Sequence, residues 1–491
     1  MTGENGNKSL SGNSGGNIGG GSEISDGSKV RDGSKARDGS KVRDGSKVRD
    51  GSKVRDGSKI RLPELLSPAG SPEKLRAAIR FGADAVYVGG VRFGMRSASA
   101  NFDLDELGEA INYCHERGRR LYVTVNTLPR GEEYPELRRY LEALGELRPD
   151  ALIVADLGVM SEARRLIPHI PIHISTQTSI VSPEAALAWA ALGAERLVLA
   201  RELSLAEIKE ITRRLPAGVE TETFVHGSMC VSYSGRCLLS NLFTGRDANR
   251  GQCTQPCRWN YVLYEEKRPD EPLEIEQDSH GSYIMSSRDM CTIEHIPELI
   301  EAGISSFKIE GRVKSAYYTA VVTNAYRLAM DAYARDPDGY RFDPDWMREL
   351  ESVSHREYCT GYYFDDPTVN PQLCSSGGYI RDKAYLATVC GYGCRAGVPG
   401  ENSDENSSGL PAGVPESDST GVMCRFTQHN KLVSGQRVEV VSPGRVGRGF
   451  TVGTMYDAEG NVIESAPHPS MCFFAGVPFY VSPGDILRAG D

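Results

Sequence analysis

The chain has no run of about 20 apolar residues, the length a membrane-spanning helix needs, so nothing in it reads as a span. Met1 leads into a Gly-, Asn- and Ser-rich stretch, where a signal peptide would carry an apolar core. A cytoplasmic location is the expectation. Hydrolytic motifs are also missing. His115-Glu116 runs on into Arg117-Gly118-Arg119, so His-Glu-x-x-His does not occur. No Gly-x-Ser-x-Gly elbow lies in the body of the chain from Leu62 onward. No Gly-x-Gly-x-x-Gly follows the first predicted strand, which weighs against a doubly wound dinucleotide fold. A net charge of −10 divides unevenly: positions 1–61 stand at +5 and 62–491 at −15. An acidic body argues against sequence-blind nucleic-acid binding, which rests on neutralising phosphates, and leaves a local basic groove as the route to RNA.

The 491 residues suffice for two or three domains. After the Gly/Asn/Ser-rich start, a hexapeptide close to Asp-Gly-Ser-Lys-Val-Arg repeats from Asp26 to Arg61. One apolar residue per repeat builds no core, so 1–61 is expected to be a disordered tail. From Leu62, apolar runs alternate with amphipathic segments at βαβ spacing. Strands are predicted at Glu64–Ala69, Ala85–Gly89, Leu121–Asn126, Ala151–Asp156, Ile172–Thr176, Arg196–Ala200, Glu220–Val225 and Ser306–Ile309. Eight strands with helices between them point to a (β/α)8, TIM-like barrel over 62–364, with a Cys-rich insertion at 227–304. Short β-like runs over 365–491 predict a small C-terminal β-barrel, interrupted by a Gly/Ser/Glu/Pro-rich loop at 397–420.

Barrel enzymes keep their chemistry where strands end. Here those ends offer Asn126, Gln177, Arg201, His226, Glu310 and Arg312. Twelve cysteines in a reducing compartment argue against a disulfide framework. Five of them, Cys230, Cys237, Cys253, Cys257 and Cys291, fall within one 62-residue stretch. Thiolates are soft ligands that select iron–sulfur clusters or zinc. Structural zinc sites favour two short Cys pairs, whereas only Cys253 and Cys257 make one here, so an iron–sulfur cluster is the better reading.

Glu222 to Ser240 resembles the signature of the peptidase U32 family, E-x-F-x-x-G-[SA]-[LIVM]-C-x4-G-x-C-x-[LIVM]-S, at every specified position. Glu64–Gly70, Ser287–Cys291, Lys308–Arg312, Ser354–Tyr358 and Thr360–Tyr363 are similar to further family segments. The resemblance implies an iron–sulfur enzyme of tRNA modification. It would hydroxylate wobble uridine to 5-hydroxyuridine, with prephenate as oxygen source and a family paralogue as a possible hetero-partner. It also implies a [4Fe–4S] cluster on Cys230, Cys237, Cys253 and Cys291, with Cys257 the spare. The alternative is the peptidase, or protease-like accessory protein, that the family name denotes. A dicarboxylate such as prephenate calls for an arginine clamp, for which Arg201, Arg312 and Arg356 are candidates. His226, Glu310 and His355 are the acid/base candidates. Asn126 and Gln177 are candidates for hydrogen-bonding a base edge or a substrate carbonyl. Arg246, Arg250, Arg258 and Trp259, which flank the cysteines, are the expected RNA contacts.

Overall fold

A computed structural model describes residues 61–95, 101–230, 232, 235–259, 287–364, 379–392 and 410–490, with short strands between 264 and 282. The repeat tail lies outside the described residues except for Arg61, as do 397–409 of the expected loop.

Eight parallel strands close into a barrel. They are β1 (Glu64–Pro68), β2 (Ala85–Gly89), β3 (Arg120–Val125), β4 (Ala151–Val154), β5 (Ile172–Ile174), β6 (Arg196–Val198), β7 (Glu220–Ser228) and an eighth, Ser306–Ile309. The eighth pairs with both β1 and β7, which shuts the ring. Helices α1 (Pro72–Arg80), α2 (Leu104–His115), α3 (Tyr134–Leu147), α4 (Leu157–Leu166), α5 (Pro183–Ala191) and α6 (Leu205–Arg214) follow the first six strands. Their starts are legible in the sequence. Ser71, Asp103, Asp156, Ser182 and Ser204 each accept an amide hydrogen bond as N-cap, satisfying donors that an uncapped helix would leave orphaned.

Alternation along the strands sorts the side chains. Leu65, Val86, Val88 and Val123 pack outward against the helices in the main core. Leu66, Tyr87, Tyr122 and Ile153 fill the barrel interior. The interior is also charged. Buried Arg196 meets Glu64 at 2.6 Å, Glu222 at 3.1 Å and Glu220 at 2.5 Å, and Lys308 Nζ meets Glu222 at 2.8 Å. Such groups persist only when each charge is paired, because an isolated buried ion costs several kcal/mol.

β7 is nine residues long and outruns the barrel wall. Its register with the eighth strand shifts between Lys308 and Ile309, and its far end pairs antiparallel with Asp289–Cys291. That extension carries the chain out into the cysteine segment, where α7 (Leu239–Thr244) and two short turns, Ala248–Arg250 and Pro256–Arg258, follow. Helix α8 (Ile296–Glu301) precedes the eighth strand, and α9 (Ala316–Arg335) and α10 (Pro344–Glu351) follow it.

The C-terminal β region is a curled antiparallel sheet centred on Tyr385–Tyr392, Gly421–Gln428 and Cys472–Val477. Ser417–Asp418, within the expected loop, pairs with Gly421–Val422 and extends that sheet. The sheet docks on the barrel through buried Arg488, which reaches Glu349 at 2.7 and 2.9 Å, and through Arg80 and Asp485 at 2.5 Å. Among the described residues no helix is long and apolar enough to cross a membrane.

Candidate functional site

A cavity of about 220 Å³ opens at the C-terminal ends of the barrel strands. Its floor comes from the strands. Lys308, Glu310 and Arg312 line it at alternate positions running out of the eighth strand, as a period of two requires. Tyr87 from β2 donates to the Ile309 carbonyl at 3.0 Å and approaches Glu310 Oε2 at 3.4 Å. Arg312 Nη1 lies 3.0 Å from Thr124 Oγ1. Arg201 donates to the Ser228 carbonyl at 2.7 Å, covers the Phe224 ring at 3.9 Å and stands 4.0 Å from Glu310. Asn126 Nδ2 donates to Gln177 Oε1 at 2.6 Å, while Asn126 Oδ1 accepts from the Met95 amide at 3.0 Å. Asn126, Gln177, Arg201, Glu310 and Arg312, expected at the strand ends, all line this cavity. The sequence reading overlooked Lys308 and Tyr87, although the 308/310/312 alternation marks Lys308.

Sulfur lines the cavity as well. Cys230, Cys237, Cys253 and Cys257 all line the same cavity. Partial burial lifts the Cys257 thiol above its ordinary value, Arg258 opposes this, and Cys230, Cys253 and Cys237 add to the rise. Burial likewise raises Cys230, and both Cys237 and Cys253 reinforce it. The four thiols are therefore within electrostatic reach of one another. Their loop is held by a close approach at Gly235. This residue has φ +75°, and a Cβ there would overlap the Gln177 carbonyl. Asn249 Nδ2 donates to the Cys237 carbonyl at 3.0 Å. Among the described residues, no group of three or more His, Cys, Asp or Glu side chains is placed to hold a single metal ion.

Four expected site residues lie elsewhere. Cys291 is buried in the main core, opposite His226 across the antiparallel pair, with its Sγ 4.0 Å from Tyr326 Oη. Burial pushes that thiol up to about 12. His226 is caged by Tyr318, Tyr326 and Tyr358, with centroids 5.3–6.0 Å away. Neither of its ring nitrogens meets a partner among the described residues, and burial drives its pKa down to about 3. His226 thus makes no hydrogen bond to Ser228, two residues along the same strand. His355 stacks on Tyr358 at 4.3 Å, and its Nδ1 faces the Arg356 carbonyl at 2.7 Å. Arg356 clasps Asp289 at 2.6 and 2.9 Å and Ser287 at 3.2 Å, all three side chains buried. None of the four lines the cavity. Of the expected RNA contacts, Arg250 is engaged by Glu133 at 2.9 and 3.0 Å and by the Leu128 carbonyl. Arg246 is exposed and Arg258 lines the cavity.

Residues 70–372 match the model of peptidase family U32, and residues 412–488 match that family's C-terminal domain. The chain belongs to the peptidase U32 family. This U32 protein is 35% identical over 428 residues to "tRNA hydroxylation protein P1" of Bacillus subtilis, covering 87% of this chain and 95% of that protein. Against "tRNA hydroxylation protein P" of Escherichia coli the identity is 33% over 456 residues, with 85% and 94% covered. The "23S rRNA 5-hydroxycytidine C2501 synthase" of E. coli is 39% identical over 269 residues, which is 55% of this chain and 39% of that protein. Among solved structures, the U32 peptidase Mk0906 matches 53% of this U32 protein and 96% of its own chain, with 18% identity and a TM-score of 0.35.

Proposed function

We propose that this protein hydroxylates a pyrimidine base in RNA, specifically uridine at the wobble position of tRNA. The observation that carries the reading is one cavity lined by four thiols together with hydrogen-bonding and cationic side chains. The naming of relatives that match nearly their whole length as tRNA hydroxylation proteins supports it. The peptidase reading lacks its machinery: His226, the histidine nearest Ser228 in sequence, is sealed among tyrosines.

Cys230, Cys237, Cys253 and Cys257 are the proposed holders of a [4Fe–4S] cluster, since these are the thiols that share the cavity. When bound, such a cluster supplies one-electron redox chemistry, or a Lewis-acid iron where a ligand position is left open. The protein's own side chains do the positioning. Asn126 and Gln177, already locked to each other, offer amide groups suited to the edge of an extruded uracil. Arg201, Arg312 and Lys308 form a cationic floor for a dicarboxylate donor, for which prephenate is the proposed identity. Glu310, next to Tyr87 and Arg201, is the carboxylate placed to hold or move a proton at the reacting base. A cytoplasmic location accompanies tRNA as the proposed substrate.

Nucleoside mass spectrometry of tRNA from a deletion strain, with and without the restored chain, tests the proposal. Loss of 5-hydroxyuridine-derived nucleosides on deletion and their return on complementation is expected. Unchanged levels, in a strain without a redundant pathway, would overturn it.

A further inference from the structure

We propose that Phe243 and Trp259 form a stacking ledge beside the cavity mouth, receiving the single-stranded nucleotides that flank the base being modified. This inference rests on the RNA reading above. The ledge is built by α7 and the Pro256–Arg258 turn, which hydrogen bonds tie together. Thr254 Oγ1 pairs with Ser240 Oγ at 3.1 Å and with Thr244 Oγ1 at 3.3 Å, and the Thr254 amide donates to Ser240 Oγ at 3.1 Å. This arrangement sets the Phe243 and Trp259 rings 6.3 Å apart at 53°. Both face solvent, at 48% and 41% exposure, and Leu242 beside them is 76% exposed. Three large apolar side chains held outward, two on α7 and one just after the Pro256–Arg258 turn, are unfavourable for an isolated chain and mark a contact surface.

Two observations choose RNA over a protein as the occupant. First, the ledge is continuous with the cavity: Leu239, Pro256, Cys257 and Arg258 line the cavity, and their chain neighbours form the ledge. Second, its charge has the sign RNA needs. Arg236 and Arg246 are exposed on the same segment and Arg258 joins them, whereas Asp247 is occupied in capping the Asn249 amide at 2.8 Å. Across the rim, Arg258 donates to Tyr379 Oη at 2.5 Å and Lys314 Nζ sits 4.3 Å over the Tyr379 ring. Cations interleaved with aromatic faces are the means by which proteins hold unpaired nucleotides, each base stacking on a ring while cations follow the backbone. The body as a whole is acidic, −15 over 62–491, whereas 236–259 carries four arginines and one aspartate, the sign that attracts phosphates.

The test uses the full-length protein, purified anaerobically, with a fluorescently labelled anticodon stem-loop RNA and a blunt duplex of equal length as control. Trp259→Ala and Phe243→Ala should each weaken stem-loop binding on the order of 10- to 100-fold, leave duplex binding unchanged and keep the melting temperature. Trp259→Phe should bind within a few-fold of wild type. Stem-loop RNA should also quench indole emission in wild type, and Trp259→Phe should lose that quench although Trp189 and Trp346 remain. Wild-type binding no tighter to the stem-loop than to the duplex would overturn the RNA reading itself. Tight wild-type binding with both alanine variants unaffected would overturn the ledge alone, and assign this surface to a protein partner.

Discussion

Arg356 holds Asp289 through both Nε and Nη2, at 2.9 and 2.6 Å, with both side chains buried. This pair joins the segment after α10 to the strand Asp289–Cys291 and so fixes the outer end of β7. Burial opposes ionisation of Asp289, yet the Arg356 guanidinium keeps its carboxyl below the usual carboxylate range. Arg356→Ala should therefore cost about 3–5 kcal/mol of stability by stranding a buried carboxylate. Urea unfolding measures this. The folded fraction should keep its KM for the donor, because Arg356 does not line the cavity.

Gly235 makes a second prediction. Its φ of +75° and its contact with the Gln177 carbonyl leave no room for a side chain. Gly235→Val should dislodge the Cys230–Cys237 loop while the barrel, whose core lies elsewhere, stays folded. Iron and sulfide per chain should fall severalfold at an unchanged circular dichroism spectrum.

The barrel interior predicts acid sensitivity. Burial holds His173 well below its ordinary pKa, and the nearby cations Arg196, Lys308 and Arg120 press it further down. His173 thus stays neutral in the fold, while an unfolded chain protonates it below about pH 6.5. Its contribution is fully present above pH 6.5 and is lost as pH falls below that, at up to about 1.4 kcal/mol per pH unit. His173→Phe keeps a ring against Tyr122, 4.7 Å away. Between pH 6.5 and 4 the variant should lose stability less steeply than wild type in chemical denaturation. Parallel curves would contradict this.

The barrel was legible because most of its strands are short apolar runs and five of the first six helices open on a Ser or Asp cap. The strand ends carried Asn126, Gln177, Arg201, Glu310 and Arg312 into the cavity, since strand direction and a period of two fix where such residues point. His226 obeys the same period but falls where β7 leaves the barrel wall, at the register shift between Lys308 and Ile309. No local pattern announces that shift, and it turns the ring into a tyrosine cage. Arg356 and His355 look like site residues in sequence because their buried partners, Asp289 and Tyr358, are brought to them by tertiary pairing. The placement of Cys257 and Cys291 depends on the same fold-level fact. Spacing alone does not separate the two, whereas the antiparallel pairing of Asp289–Cys291 with β7 sets Cys291 in the core and Cys257 lines the cavity.

Iron and acid-labile sulfide, measured on anaerobically purified Cys257→Ala and Cys291→Ala beside wild type, test the central claim that the four cavity-lining thiols hold the cluster. The account predicts that Cys257→Ala loses the cluster and that Cys291→Ala retains it near the wild-type level. A full cluster in Cys257→Ala together with an empty Cys291→Ala would contradict it.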